Sequence, residues 1–371
     1  MRLILTYPIY NNAMSLQSRL LEWFDKNQRP LPWRKNYRPY EVWISEIMLQ
    51  QTQMNTVLPY YRRWLELFPD VETLAQSDLK KVLKAWEGLG YYSRARNLHE
   101  TAKLILEKHE GRFPDDFDTI HSLKGIGRYT AGAIASIAFN QERPIVDGNV
   151  LRVLSRVYAI KEPIDVEKNK PLFWELQEKL IPKGKARYFN QALMELGALI
   201  CSTENPSCAI CPIRDFCKAY KAGNPQDYPV RAKKTKSVKI TASALVLENR
   251  GRYFIHLRPL GEIMGGLWEF PEWKLSKNKP LTLLSVEKKT KKVIGKDYAL
   301  NTDGLKYLGA IKRNYTYFNE TLHVFKIDLP DALPKKPSSW VSAWATLKDF
   351  SKYPFSSAHA KIVKLIQEKT Q

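Results

Sequence analysis

The hydrophobic period of this chain changes once, near residue 240, and that change limits it to two kinds of module in series. Before residue 200 the apolar residues recur at helical spacing, without convincing strand alternation. Residues 15–35 read as a helix stopped at Arg29-Pro30-Leu31-Pro32. The next helix begins near Pro39 and turns Val42, Trp43, Ile47 and Met48 inward, with Glu46 beside them. Breaks follow at Phe68-Pro69, Gly88-Leu89-Gly90 and Phe113-Pro114. Further helices are expected from Tyr129 to Ala138, after Asp147, and twice within 172–199. Such a segment can only bury its apolar stripes helix on helix.

From Ile240 the period is two. Ala242–Leu247 and Tyr253–Leu257 read as a hairpin around Asn249-Arg250-Gly251. Further strands are expected near 307–311 and 322–328, and helices at 343–349 and 357–369, giving an α+β module. Between the modules, Lys218–Lys239 is rich in Lys, Arg and Pro and reads as an exposed tether. The expected organisation is an extension (1–14), a helical module (15–217), a basic linker (218–239) and an α+β module (240–371). Met1–Tyr10 is too short to span a bilayer and lacks the long apolar region of a secretory signal.

The chain carries 59 Lys and Arg against 38 Asp and Glu, a formal charge of +21. That excess attracts polyanions at long range, and nucleic acid is the usual partner. No long stretch joins a basic face to a strongly apolar one, which argues against an anionic membrane. All four cysteines fall between Cys201 and Cys217, at Cys201-x6-Cys208-x2-Cys211-x5-Cys217. Thiols packed this way point to a metal site in a reducing, cytoplasmic compartment rather than to a disulfide framework. On thiolate chemistry alone both zinc and a cubane iron–sulfur cluster remain open.

Leu123-Lys124-Gly125-Ile126-Gly127-Arg128-Tyr129-Thr130 has the form of a helix–hairpin–helix turn. Gly125 and Gly127 would let the backbone come close to a phosphate, with N–H groups at the next helix start facing it; an ordinary helix–helix turn is the alternative. Asp147 follows Pro144-Ile145-Val146 and precedes Gly148-Asn149-Val150, where a helix N-cap would sit. Read simply, it is such a cap. Read functionally, it is an ionised partner for positive charge developing at a sugar C1′. Glu46 lies among apolar residues, where burial would raise its pKa toward that of a general acid; a half-exposed helix flank is the plain alternative. Two carboxylates in different environments could divide the work of acid and ion-pair partner, on a nucleotide taken out of its stack.

Leu31-Pro32-Trp33-Arg34, the run Pro39–Gln53 with its Gln-Gln-Thr-Gln, the run Gly88–Leu98, the hairpin, Val146–Val150 and the four cysteines occur in order over residues 15–220. Together they resemble the adenine DNA glycosylases of the MutY family. The resemblance implies two helical lobes flanking a DNA cleft, with a [4Fe-4S] cluster on Cys201, Cys208, Cys211 and Cys217 in a structural role. It implies a monomer acting on duplex DNA and releasing adenine paired with 8-oxoguanine or guanine. Under it, Glu46 would protonate N7 of the flipped adenine, and Asp147 would stabilise the C1′ cation or trap it briefly. Tyr129 and Asn149 would hold Asp147. Trp33 and Arg34 would line the adenine pocket. Gln51 and Tyr91 would probe the gap in the helix, and Lys124, Gly125 and Gly127 would meet phosphate. Related bifunctional glycosylases acting on oxidised pyrimidines carry a Schiff-base lysine at the position of Tyr129. A phenol cannot replace it, so a monofunctional enzyme is expected. A cluster-bearing protein that only senses damage is the non-enzymatic rival.

Arg258–Pro271 resembles the matching segment of a Nudix-type domain. Hydrolases of that type hold Mg²⁺ on a glutamate-rich helix, but here Glu272-Trp273-Lys274-Leu275 follows instead. The module is therefore expected to bind and not to hydrolyse. The resemblance implies that it recognises 8-oxoguanine through a loop whose counterpart here is Tyr315-Thr316-Tyr317, with Tyr317 where the family has histidine.

Overall fold

A computed structural model of the chain describes residues 15–232, 237–315, 317–329 and 341–370. The expected extension, 1–14, and Thr316 lie outside the described residues. The helices in chain order are α1 (Leu16–Asn27), α2 (Pro39–Leu49), α3 (Met54–Leu67), α4 (Val71–Gln76), α5 (Leu79–Ala85), α6 (Ser93–His109) and α7 (Phe117–Ser122). They continue as α8 (Arg128–Ala133), α9 (Gly148–Tyr158), α10 (Lys170–Leu180), α11 (Ala186–Leu199), α12 (Lys218–Lys221), α13 (Leu283–Tyr298) and α14 (Ser357–Thr370). The strands are β1 (Val238–Asn249), β2 (Arg252–Leu257), β3 (Trp268–Glu269), β4 (Glu272–Lys277), β5 (Lys306–Tyr315), β6 (Phe318–Asp328) and β7 (Ser342–Thr346). The chain packs as two units: Met1–Gln51 with Thr101–Lys233, and Thr52–Glu100 with Lys234–Gln371.

Among its described residues the first unit contains helices and no strand. Ser15 caps α1 by accepting the Ser18 N–H, and α1 then presents Leu16, Leu20 and Phe24 to a core shared with α9, α10 and α11. Pro39 opens α2, whose side chains from Val42 to Met48 are all buried; a helix apolar on every side belongs in the middle of a packing. The helix expected from Tyr129 to Ala138 is regular only to Ala133. It widens to a π-helix over Ile134–Ala138, with Ser136 Oγ bonded back to the Gly132 carbonyl. The stretch expected as a tether is folded as far as Ala232. It carries α12, and its Ala219 and Tyr228 are buried. Arg156 of α9 donates to the Pro225 and Tyr228 carbonyls.

The second unit joins α3–α5 and the start of α6 to a mixed sheet of order β3-β2-β1-β6-β5, with β4 on β1 and β7 on β2. The Asn249-Arg250-Gly251 hairpin is present, with positive φ at Arg250 (49°) and Gly251 (75°), as a tight two-residue turn requires. Strands β1 and β6 run parallel. One sheet face, including Ala242, Val246, Leu322 and Val324, packs on α14; the other, Leu245, Leu247, Phe325 and Ile327, packs on α13. Tyr92 and Arg96 tie the helical segment to this module through the Phe355 and Gly265 carbonyls.

The helix expected at 343–349 is instead β7 followed by a 3₁₀ turn. Ala and Leu there suit a helix locally, but the open edge of β2 pairs Phe254 with Trp344 and Ile255 with Ala343. Pairing and burial outweigh local propensity. Helix α13 escaped the sequence reading, because its lysines blur its apolar stripe of Val286, Ile294 and Tyr298. Among the described residues, no helix is long and apolar enough to cross a membrane.

Candidate active site

Helix α2 carries Glu46 into the interior of the first unit, 3% exposed. Its carboxyl accepts the Tyr129 hydroxyl at 2.6 Å. Burial is the main reason its pKa rises from 4.5 to about 7; the charge of nearby Asp147 pushes the same way, while the Tyr129 hydrogen bond and Arg34 oppose it. At neutral pH Glu46 therefore divides its time between proton donor and carboxylate. Burial likewise pushes the Tyr129 phenol well above its ordinary value, so it serves as a neutral donor.

Asp147 is the N-cap of α9, as its sequence context suggested. It accepts the Val150 N–H at 2.7 Å and the Asn149 side-chain amide at 2.8 Å. Burial raises its pKa, and those hydrogen bonds, with Arg152, hold the rise back. Arg152 was not singled out in the sequence. It binds Asn149 Oδ1 at 2.8 Å and the Gly197 carbonyl at 2.7 Å, fixing the amide that faces Asp147.

Two glycines set how closely this corner packs. A Cβ on Gly132 would fall 2.3 Å from the Pro144 carbonyl oxygen, and one on Gly197 would fall 2.6 Å from Asn149 Cβ. Neither has a sequence signal beyond being glycine in a helix. Gly197→Ala is expected to destabilise the protein by ~1–3 kcal/mol through overpacking. Gly295→Ala in α13, where an added Cβ meets nothing within 4 Å, should be neutral or stabilising by up to ~1 kcal/mol. Thermal melting of the two variants checks the contrast.

Of the residues singled out by sequence, the structure brings Glu46, Tyr129, Asp147 and Asn149 together, with Arg34 close enough to act on Glu46. The Tyr129 hydroxyl goes to Glu46, where Asp147 had been its expected partner. Trp33 is buried on the 3₁₀ turn Pro32–Arg34. Arg34 donates to Glu195 at 2.8 Å and Gln191 at 3.0 Å. Burial alone would raise the Glu195 pKa, but hydrogen bonds from Arg29 and Arg34 hold it at about 2, so it is a permanent counter-ion.

The hairpin joins α7 to α8 with Lys124, Gly125 and Gly127 all exposed. Gly125 has φ +76°, in glycine's region. Gly127 has φ −83°, and a Cβ there would meet nothing within 4 Å. Gln51, directly after the end of α2, is exposed with φ 57°. In the second unit Tyr91 is 45% exposed with φ 47°, and Tyr317 is exposed at the β5–β6 turn, packed on Phe318. Tyr315 ends β5.

The iron–sulfur loop expected on Cys201, Cys208, Cys211 and Cys217 is corrected by the structure. Among the described residues, the one group of side chains whose ligand atoms converge within 4.8 Å is Glu269, Glu272 and His359, and it contains no cysteine. None of the four is in a disulfide. They border a cavity of about 20 Å³, room for a single water. Burial raises the thiols of Cys208, Cys211 and Cys217, that of Cys211 to about 12. Protein hydrogen bonds tie the loop: Arg156 to the Ser202 and Thr203 carbonyls, Arg152 to that of Cys201, and the Cys217 thiol to that of Arg156. Close spacing in sequence made convergence possible without ensuring it. The Glu269–Glu272–His359 group is itself already neutralised, with Arg258 2.6 Å from Glu269 and Arg313 2.7 Å from Glu272.

The family model described as HhH-GPD superfamily base excision DNA repair protein matches residues 44–179, and that of the NUDIX domain matches residues 242–365. The adenine DNA glycosylase of Arabidopsis thaliana is 40% identical over 301 residues, covering 70% of this chain and 48% of the plant protein, so the chain spans about half that relative's length. The adenine DNA glycosylase of Mus musculus is 32% identical over 413 residues, covering 97% of this chain and 79% of the mouse protein. Among solved structures, a thermostable thymine-DNA glycosylase superposes with a TM-score of 0.51 at 30% identity, covering 55% of this chain and 94% of that one.

Proposed function

Because the chain belongs to the adenine DNA glycosylase family, we propose that it hydrolyses the N-glycosidic bond of adenine mispaired with 8-oxoguanine or guanine in duplex DNA and leaves the strand intact. One observation carries the reading: a buried glutamate with its pKa near 7 lies close to an aspartate held on a helix N-terminus. Adenine leaves poorly as an anion. Protonated Glu46 gives its proton to N7 of the everted base, the C1′–N9 bond breaks with its electron pair going to the base, and Asp147 faces the cation left at C1′. Water then adds to C1′ and gives up a proton, which restores the Glu46 carboxyl directly or through solvent. Tyr129 and Asn149 hold the two carboxyl groups, and Trp33 and Arg34 border the base. Lys124, Gly125 and Gly127 meet phosphate, Gln51 and Tyr91 occupy the opened helix, and the turn 315–317 meets the modified purine. The helical module from residue 15 does the chemistry, and the Nudix-like module from residue 240 binds.

A phenol at position 129 supports base release without strand cleavage, since it cannot form the Schiff base of a lyase. The test is base release from duplexes placing adenine opposite 8-oxoguanine, guanine, cytosine and thymine. Release is expected opposite the first two, with the strand broken only after alkali. Direct scission, with an adduct trapped by borohydride, would replace this reading with a bifunctional one.

A further inference from the structure

Strands β1, β6 and β5 lie side by side in continuous register at the base of the β5–β6 turn. Lys239 faces Asn319, which faces Asn314; Thr241 faces Thr321, which faces Lys312. Side chains alternate along a strand, so these six share one sheet face. It is the face on which Leu245, Leu247, Phe325 and Ile327 meet α13 further along. Towards the turn the apolar residues stop, and the same face becomes amide, hydroxyl and ammonium. The residues between, including Ala242, Leu322 and Ile311, point to the opposite core.

This polar face floors a groove of about 350 Å³, walled by Lys279-Pro280-Leu281. The wall is fixed by backbone: Asn278 exchanges hydrogen bonds with the Lys239 main chain, and Ser276 Oγ donates to the Lys279 carbonyl. Lys239, Lys279 and Lys312 are exposed, and none has an ion pair among the described residues. The one carboxylate at the groove, Glu320, is committed to Arg313 at 2.8 Å. Three lysines without an ion pair among the described residues, set over amide and hydroxyl groups, suit a phosphate. Among the described residues lining the groove the one aromatic ring is the His323 imidazole, already packed 5.9 Å from the Tyr307 ring and hydrogen-bonded to its hydroxyl at 3.1 Å, and a polymer backbone needs no stacking platform.

We propose that this open sheet face is a phosphodiester-binding groove that takes the backbone of the DNA strand carrying the modified purine. The inference rests on the duplex-DNA reading above. Asn314 and Asn319 flank the turn assigned to the modified base, so the next phosphates along that strand fall on the groove.

The test is the salt dependence of binding to undamaged duplex, which reads the groove whether or not adenine is released. In the K239Q/K279Q/K312Q variant the slope of log affinity against log salt should shrink by roughly 2–3, about 0.9 for each phosphate that is no longer neutralised. If the triple variant melts early, Lys312→Gln alone decides, with an expected change of about 0.9. An unchanged slope in a variant that melts like the parent overturns the groove. Neutral methylphosphonates beside 8-oxoguanine should weaken binding to the parent and leave the triple variant indifferent; an equal effect on both, or an effect only when the other strand is substituted, overturns the strand assignment. Binding of dGTP that the variant loses while its duplex slope stays unchanged would make the groove a small-nucleotide site and overturn the proposal.

Discussion

Asp147→Asn is expected to slow adenine release by at least ~10³-fold, on the scale of removing one preorganised electrostatic partner from a transition state, while duplex binding and folding survive. The substitution isolates charge from structure. Asparagine caps helices about as well as aspartate, and its amide oxygen can still accept the Val150 N–H that Asp147 takes at 2.7 Å. Arg152 and Gly197 hold Asn149 independently of the charge. What disappears is the Asp147 negative charge, together with the acceptor that the Asn149 amide has at 2.8 Å. Single-turnover base release, mismatch affinity and thermal melting, measured together, separate these effects. A variant that turns over within tenfold of the parent would return Asp147 to the role of a helix cap and nothing more.

The parts of this site legible in sequence are those whose chemistry is local. Asp147 declared itself through Val146-Asp147-Gly148-Asn149, because a helix start needs an acceptor at that position. The hairpin declared itself through Gly125, whose φ of +76° suits glycine. The burial of Glu46 followed from apolar neighbours on both sides in α2. What stayed hidden depends on partners far along the chain. Gly132 and Gly197 matter only because Pro144 and Asn149 come against them. Glu195 is an ordinary helix residue until Arg29 and Arg34 reach it from more than 160 residues away. The segment 343–349 became a strand because β2 had an unfilled edge. The cysteines show the same limit from the other side: their spacing is local, while the loop that carries them is held by Arg152 and Arg156 of α9 on the Cys201 and Ser202 carbonyls.

Glu46→Gln is expected to do two opposite things, and their combination is the sharper test. Turnover should fall by ~10²–10⁴-fold, the usual contribution of a positioned acid, because glutamine keeps a contact with Tyr129 but has no proton to give. Stability should rise. With the folded pKa near 7 and the ordinary value 4.5, the carboxyl binds its proton more tightly in the native state than in the unfolded chain. The resulting stabilisation is complete below pH 4.5 and is lost as pH rises through about 7, a change on the order of 3 kcal/mol. Glutamine removes that loss, so the variant should melt higher than the parent above pH 7 and lack the Glu46 share of the pH-linked change across that window, while the raised Asp147 carboxyl keeps a share of its own. The parent's turnover should fall about tenfold per unit above pH 7, as the acid form is depleted. Melting curves and single-turnover rates from pH 5 to 9 read both limbs. If the variant keeps the parent's alkaline limb, another group carries the proton; if its stability tracks pH as steeply as the parent's across this window, the buried charge lies elsewhere.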